Sequence, residues 1–170
     1  AGEGYPKGVR DVLNNKNIFK DAMGTVGDLL NVDASISSSI EMALGDYAKC
    51  IVVKNKKNAI SILEMIRNRK SGRIMIIPLD SIPSINAVSK SIQPNKNVIG
   101  RAVDLVKVLP KFKPLLDFLL GNIVLVKDIK VAMLDNSLKD LDLIGQDGVL
   151  LIKGMIIDRI SSKKSLGMIG

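Results

Sequence analysis

The chain has 170 residues, 46% of them hydrophobic, with 25 Lys+Arg against 17 Asp+Glu, no His, one Cys and no Trp. The missing His excludes Ser-His-Asp and Cys-His catalysis and imidazole metal ligands, and a single Cys excludes an internal disulfide or a thiolate zinc clip. The net charge of +8 favours polyanions, nucleic acid first among them.

The length suits one domain or two small subdomains with a real core. A mean hydropathy of +0.23 argues for a folded chain. No apolar run approaches the roughly 18 residues a spanning helix needs. No secretory pattern opens the sequence, so a reducing cytoplasm is the expected compartment.

In chain order, short helices and strands alternate. Ile36, Ile40, Ala43 and Leu44 share one helical face, with Asp33 as N-cap and Gly45 as stop, which predicts a helix from Ser35 to Leu44. Cys50-Ile51-Val52-Val53 reads as a buried strand, with Cys50 a small core residue. Asn55 then caps a second helix whose inner face is Ala59, Ile62, Leu63 and Ile66, ending near Gly72. Arg73 to Ile77 reads as the next strand, stopped by Pro78. Residues 78–97 are rich in Pro, Ser and Asn and read as a connection.

The pattern then restarts. Asp28-Leu29-Leu30-Asn31-Val32 is echoed by Asp104-Leu105-Val106-Lys107-Val108. At the same shift of 76 residues, Gly24 meets Gly100, Ile36 meets Phe112, Ile40 meets Leu116, Leu44 meets Leu120 and Gly45 meets Gly121. After a three-residue deletion, Val52-Val53-Lys54 meets Leu125-Val126-Lys127 and Ala59 meets Ala132. Core-face positions and helix stops match, so the chain reads as two similar α/β units at about 20–80 and 98–160. In the second, Asp147-Gly148 predicts a hairpin between Leu141–Ile144 and Val149–Ile152, and Met155-Ile156-Ile157 adds another short strand.

Charge is concentrated. Between Lys49 and Arg73 lie eight basic residues, Lys49, Lys54, Lys56, Lys57, Arg67, Arg69, Lys70 and Arg73, against one acid, Glu64; elsewhere 17 basic groups meet 16 acidic ones. This window is either a solvated helix face or a phosphate-binding patch. Neither a phosphate-binding loop nor a dinucleotide fingerprint is present. Gly24-Thr25-Val26-Gly27 has the G-x-x-G shape of a KH clamp, although a turn accounts for it as well and the second unit lacks the second glycine. Five aromatic residues, Tyr5, Phe19, Tyr47, Phe112 and Phe118, do not make a base-stacking platform. An α/β enzyme with a carboxylate site is disfavoured, because no spacing forces two acids together.

These blocks carry a family resemblance. Gly24–Leu30, Ser39–Gly45, Ile51–Val53 and Gly72-Arg73-Ile74-Met75-Ile76-Ile77-Pro78-Leu79-Asp80 resemble the hinge domain of SMC (structural maintenance of chromosomes) proteins. Ile99–Val106 and Leu119–Val126 resemble the family's second set of blocks. The resemblance implies a mixed α/β fold of two pseudo-repeated subdomains, with hinge subdomain I at 1–80, a connection at 81–97, subdomain II at 98–160 and a return toward a coiled coil at 161–170. It implies a homodimerising joint between two SMC chains, paired as a two-lobed ring, in a cytoplasmic, nucleoid-associated protein. The ATPase would lie in head domains elsewhere, and this fragment would have no catalytic residue, cofactor, metal, membrane or small-molecule substrate. Candidate dimer-interface residues are Arg73, Ile74, Met75, Gly154, Met155, Ile156 and Ile157. Candidate residues for sequence-independent DNA binding are Lys54, Lys56, Lys57, Arg67, Arg69, Lys70, Arg159, Lys163 and Lys164. The alternative is a KH-like RNA-binding module. The chain departs from the family in its last turn, Gln146-Asp147-Gly148, and in having Ile157-Asp158 where paired glycines are usual.

Overall fold

The computed structural model describes residues 4–84, 92–159 and 169. The chain opens with α1 (Lys7–Asn14), which buries Val9 and Val12. A short α2 (Val26–Leu29) follows, capped by Thr25, whose hydroxyl accepts from the Asp28 amide at 3.2 Å. Next come β1 (Asn31–Val32) and α3 (Ala34–Leu44). Asp33 caps α3 through the Ser35 amide at 3.0 Å, and Gly45 ends it, as the sequence predicts. The apolar strand β2 (Ile51–Val53) is buried throughout and leads into α4 (Lys56–Asn68), whose N-cap Asn55 accepts from the Asn58 amide at 2.8 Å. Then β3 (Ile76–Pro78) completes the first copy of the repeat.

The second copy runs β4 (Val98–Arg101), α5 (Ala102–Leu105), β5 (Val106–Lys107), α6 (Lys113–Leu120), β6 (Ile123–Val126), α7 (Ile129–Met133) and β7 (Asp142–Gly145). It continues into β8 (Val149–Ile152) and β9 (Met155–Asp158). The order α2-β1-α3-β2-α4-β3 is thus repeated as α5-β5-α6-β6-α7-β7. β1 and β5 pair antiparallel, with Asn31 opposite Lys107. Those two residues are separated by the repeat shift itself, so equivalent positions of the two copies face each other.

Packing divides the described residues into two compact units, 4–30 with 46–84 and 31–45 with 92–159. Repeat and packing are different partitions: β1 and α3 belong to the first copy by order, yet α3 packs against α6 and β7. In the first unit β2 and β3 pair parallel, and Val9, Val12, Phe19, Ile51, Val53, Ile62 and Ile66 form the core. In the second, a five-stranded sheet runs β4-β6-β7-β8-β9, with β6 and β7 parallel and the rest antiparallel. Its core is built on Val124, Val126, Ile129, Ala132, Leu138, Leu141 and Leu143.

Three expectations need correction. Leu63 is exposed, because α4 turns Ile62 and Ile66 inward with Ala59 and Met65 beside them. The helix ends at Asn68, before Gly72, because Lys70 takes a left-handed φ of +52°. Pro78 does not stop β3 but lies in it, opposite Val53. The Ile51 amide donates to the Met75 carbonyl at 2.8 Å, so alternation turns residues 75 and 77 toward β2 and residues 76 and 78 away. Proline's missing N–H therefore falls on the open side of an edge strand, where proline is tolerated.

Candidate functional site

β9 is the outer strand of the five-stranded sheet and pairs only with β8 among the described residues. A two-residue turn closes this hairpin. Ile152 faces Met155, and both turn residues have positive φ, +50° at Lys153 and +81° at Gly154. That is the backbone a tight hairpin requires, and glycine adopts it without strain. Asp142 steadies the turn by accepting from the Lys153 amide at 2.8 Å. The closing pair makes Met155 and Ile157 bond toward β8 and leaves the Ile156 backbone facing the open side. Met155 and Ile156 are 58% and 56% exposed. A strand presenting bare backbone flanked by large apolar side chains is a site for strand addition.

The other predicted contact segment is Arg73–Met75. Arg73 is exposed, and Ile74 and Met75 are half-buried. Ile74 packs on the first core, and the Arg73 carbonyl accepts from the Gly8 amide at 2.8 Å. The segment enters β3, whose side away from β2 has no strand paired to it among the described residues. The structure therefore places Met155–Ile157 in an open edge strand of the second unit, and Arg73–Met75 in the segment leading into an open edge strand of the first, with the Arg73 and Met75 carbonyls already bonded to the Gly8 and Ile51 amides.

The basic window divides along α4. Lys54, Lys56 and Lys57 are exposed at its N-terminal end, and Arg67 and Lys70 at its C-terminal end. The ten residues from Lys57 to Arg67 span about 15 Å at the α-helical rise. Arg69 is committed elsewhere: its Nε and Nη2 donate to the two Asp11 oxygens, both at 2.8 Å, and its guanidinium lies 5.5 Å from the centre of the Phe19 ring. Arg159 is exposed beyond β9, with its amide donating to the Gly148 carbonyl. Lys163 and Lys164 lie outside the described residues.

The G-x-x-G segment is not arranged as a clamp. Thr25, Val26 and Gly27 are buried, and Thr25 spends its hydroxyl capping α2. Only Gly24 of the four keeps partial exposure, and the exposed residue that follows is the acidic Asp28, so the KH alternative has no support. Cys50 is buried, its thiol pushed up to about 11 chiefly by that burial. Among the described residues, no three His, Cys, Asp or Glu side chains gather as metal ligands. No helix among them is long and apolar enough to cross a membrane.

Sequence reasoning missed the group around Asp11. Its carboxylate accepts from Arg69, from Asn15 Nδ2 at 2.8 Å and from Ser71 Oγ. These donors hold it down at about 2, Arg69 first among them. Arg69 and Ser71 are 58 and 60 residues away along the chain, so no local spacing announces the group.

Residues 19–133 match the family model described as the SMC proteins flexible hinge domain. The chain belongs to that family. The hinge is 31% identical over 135 residues to the chromosome partition protein Smc of Desulfitobacterium hafniense, and 27% identical over 133 residues to that of Halothermothrix orenii. The alignments cover 76% and 77% of this chain and 11% of each relative. The chain thus spans about a tenth of the length of the curated relatives it matches. Among solved structures, it is similar to an asymmetric dimer of the Geobacillus stearothermophilus SMC hinge domain, with a TM-score of 0.78 and 25% identity, over 91% of this chain and 66% of that one. The Pyrococcus furiosus SMC hinge domain shares the fold, with a TM-score of 0.69 and 20% identity over 91% of this chain and 80% of that one.

Proposed function

We propose that this hinge joins two SMC chains by strand addition, the β3 edge of one copy meeting the β9 edge of a second. One observation carries the reading. Ile51 pairs with Ile76 in the first copy and its counterpart Val124 with Leu143 in the second, so β3 corresponds to β7. β7 carries β8 on its far side, with Leu143 opposite Leu151, whereas β3 has no such strand among the described residues. The same strand is covered in one copy and open in the other. β9 supplies the open apolar strand that can cover it, with its outward-facing Ile156 backbone matched to that of Ile76. Subdomain boundaries at 1–80 and 98–160 belong to the same proposal. So does the whole-protein role, a joint in a nucleoid-associated chromosome-partition protein whose ATP chemistry lies in other domains.

Sedimentation equilibrium at micromolar concentration tests it. The expected mass is twice the 18.4 kDa of the chain. A clean monomer contradicts the reading.

Secondary, sequence-independent DNA binding is the second part of the proposal. It rests on the exposed Lys54, Lys56, Lys57, Arg67, Lys70 and Arg159, joined by Lys163 and Lys164; Arg69 contributes only by releasing Asp11. Phosphate contacts release counterions, so affinity should fall steeply with salt. Lys56→Glu with Lys57→Glu should weaken binding to all duplex sequences alike and flatten the salt slope by about 2, roughly one per lost phosphate contact. Unchanged binding at low salt removes this part.

A further inference from the structure

Helix α1 ends before residue 19, where the family match begins, yet it grips the chain that leads into β3. The grip falls on alternate residues. Arg69 and Ser71 are held by the Asp11 carboxylate, and Arg73 by the Gly8 amide. The two intervening residues, Lys70 and Gly72, have φ of +52° and +111°. From inside, Val9 and Val12 share a core with Ile74 and Ile76. Gly8 allows this closeness: a Cβ there would stand 2.5 Å from the Arg73 carbonyl oxygen and 2.8 Å from that of Gly72.

We propose that Asp11 and Gly8 are positioning residues for association, setting the path of residues 69–75 and through it the line of the open β3 edge. This rests on the reading of β3 as a docking edge. Strand addition needs inter-strand N···O distances near 2.9 Å, and a shift of about an ångström forfeits such bonds. The carboxylate is held ionised well below neutral pH, so the grip is present under all physiological conditions. Between the left-handed Lys70 and Gly72, Ser71 closes the end of α4 by donating its amide to the Ile66 carbonyl at 3.1 Å. Between that bond and the Met75 carbonyl, which accepts from the Ile51 amide, the backbone is gripped from α1 through Gly8 at Arg73.

The test uses the whole 170-residue chain carrying Asp11→Asn, Asp11→Glu or Gly8→Ala. Three quantities are read: the dissociation constant by sedimentation equilibrium, the urea midpoint, and hydrogen exchange at the Ile76 amide, which faces the open side of β3. Asp11→Asn and Gly8→Ala should each weaken association of the folded chain by about tenfold or more and speed exchange at Ile76. Asp11→Glu should recover most of the affinity. A lowered urea midpoint with unchanged dissociation constant and unchanged Ile76 exchange overturns the inference, leaving Asp11 a purely stabilising residue. If the parent chain is monomeric throughout, the docking reading itself fails. Exchange at the Ile51 amide, which donates to the Met75 carbonyl, then decides whether α1 positions the segment: faster exchange in Asp11→Asn supports it, and unchanged exchange overturns it. Should Gly8→Ala fail to fold, the two Asp11 variants carry the test.

Discussion

β3 and β7 occupy the same place in the two copies of the repeat, and they end differently. β7 is flanked on both sides, by β6 and β8, and the open edge of its sheet has moved out to β9. β3 has β2 on one side and no strand among the described residues on the other. Its neighbourhood is shaped instead by α1, through Asp11 and Gly8. Duplication alone would give two equal sheets. The added β8–β9 hairpin makes them unequal, leaving one strand short of a neighbour and providing one strand to spare. In the proposed assembly a second copy of the chain supplies each missing neighbour.

The largest effects should come from the paired central strands. Leu125 in β6 and its counterpart Val52 in β2 are both fully buried. Leu125→Ala should cost about 2–5 kcal/mol in urea unfolding. Val52→Ala should cost about 1.5–3 kcal/mol, the scale of burying a valine side chain. An unchanged midpoint for Val52→Ala would break the equivalence of the two strands.

Next in size are the edges. Ile156→Lys places a charge beside open backbone without touching the core, and should raise the dissociation constant by about tenfold or more with little change in unfolding. An unaltered constant would show that the β9 edge takes no part in pairing.

The caps come third. Thr25 caps α2, while its repeat counterpart Arg101 caps nothing with its side chain and donates from Nη2 to the Gly121 carbonyl at 3.3 Å. Thr25→Ala should cost about 1 kcal/mol and Arg101→Ala clearly less. Equal costs would mean that the cap contributes nothing to the difference between the copies.

The smallest effect concerns acid. The pKa of Asp11 falls from an ordinary 3.8 to about 2 in the folded chain. Its contribution is therefore fully present above about pH 4 and is lost as the pH falls toward 2. Asp11→Asn should remove that part of the acid dependence from the first unit and leave the second unchanged. A parent and variant with the same acid profile would contradict it.

Much of this was legible locally. The α3 caps, the apolar run of β2, the Asp147-Gly148 turn and the strand at Met155 all follow from short-range chemistry. The repeat was legible because packing constrains the same positions twice. Pro78 misled because proline usually stops a strand, and only the ladder shows that its bare nitrogen faces outward. Leu63 misled because a helical face has two margins and periodicity does not say which one meets the core. The Asp11 group is invisible in the sequence because Arg69 and Ser71 stand 58 and 60 residues from Asp11, beyond the reach of any local spacing. The basic window reads from sequence as either a solvated helix face or a phosphate-binding patch, and only the structure shows that α4 carries its charges to opposite ends and that Asp11 takes up Arg69.

The most direct test mixes two variants, each blocked on one edge. Met75→Lys burdens the β3 side and Ile156→Lys the β9 side, so each alone spoils every β3–β9 contact with its own copy. Mixed, the two chains retain one intact pair of edges, β3 of the second against β9 of the first. Sedimentation equilibrium should then show a heterodimer that forms more tightly than either variant associates with itself. Failure of the mixture to recover association, when the parent chain is a dimer, would contradict the pairing of β3 with β9.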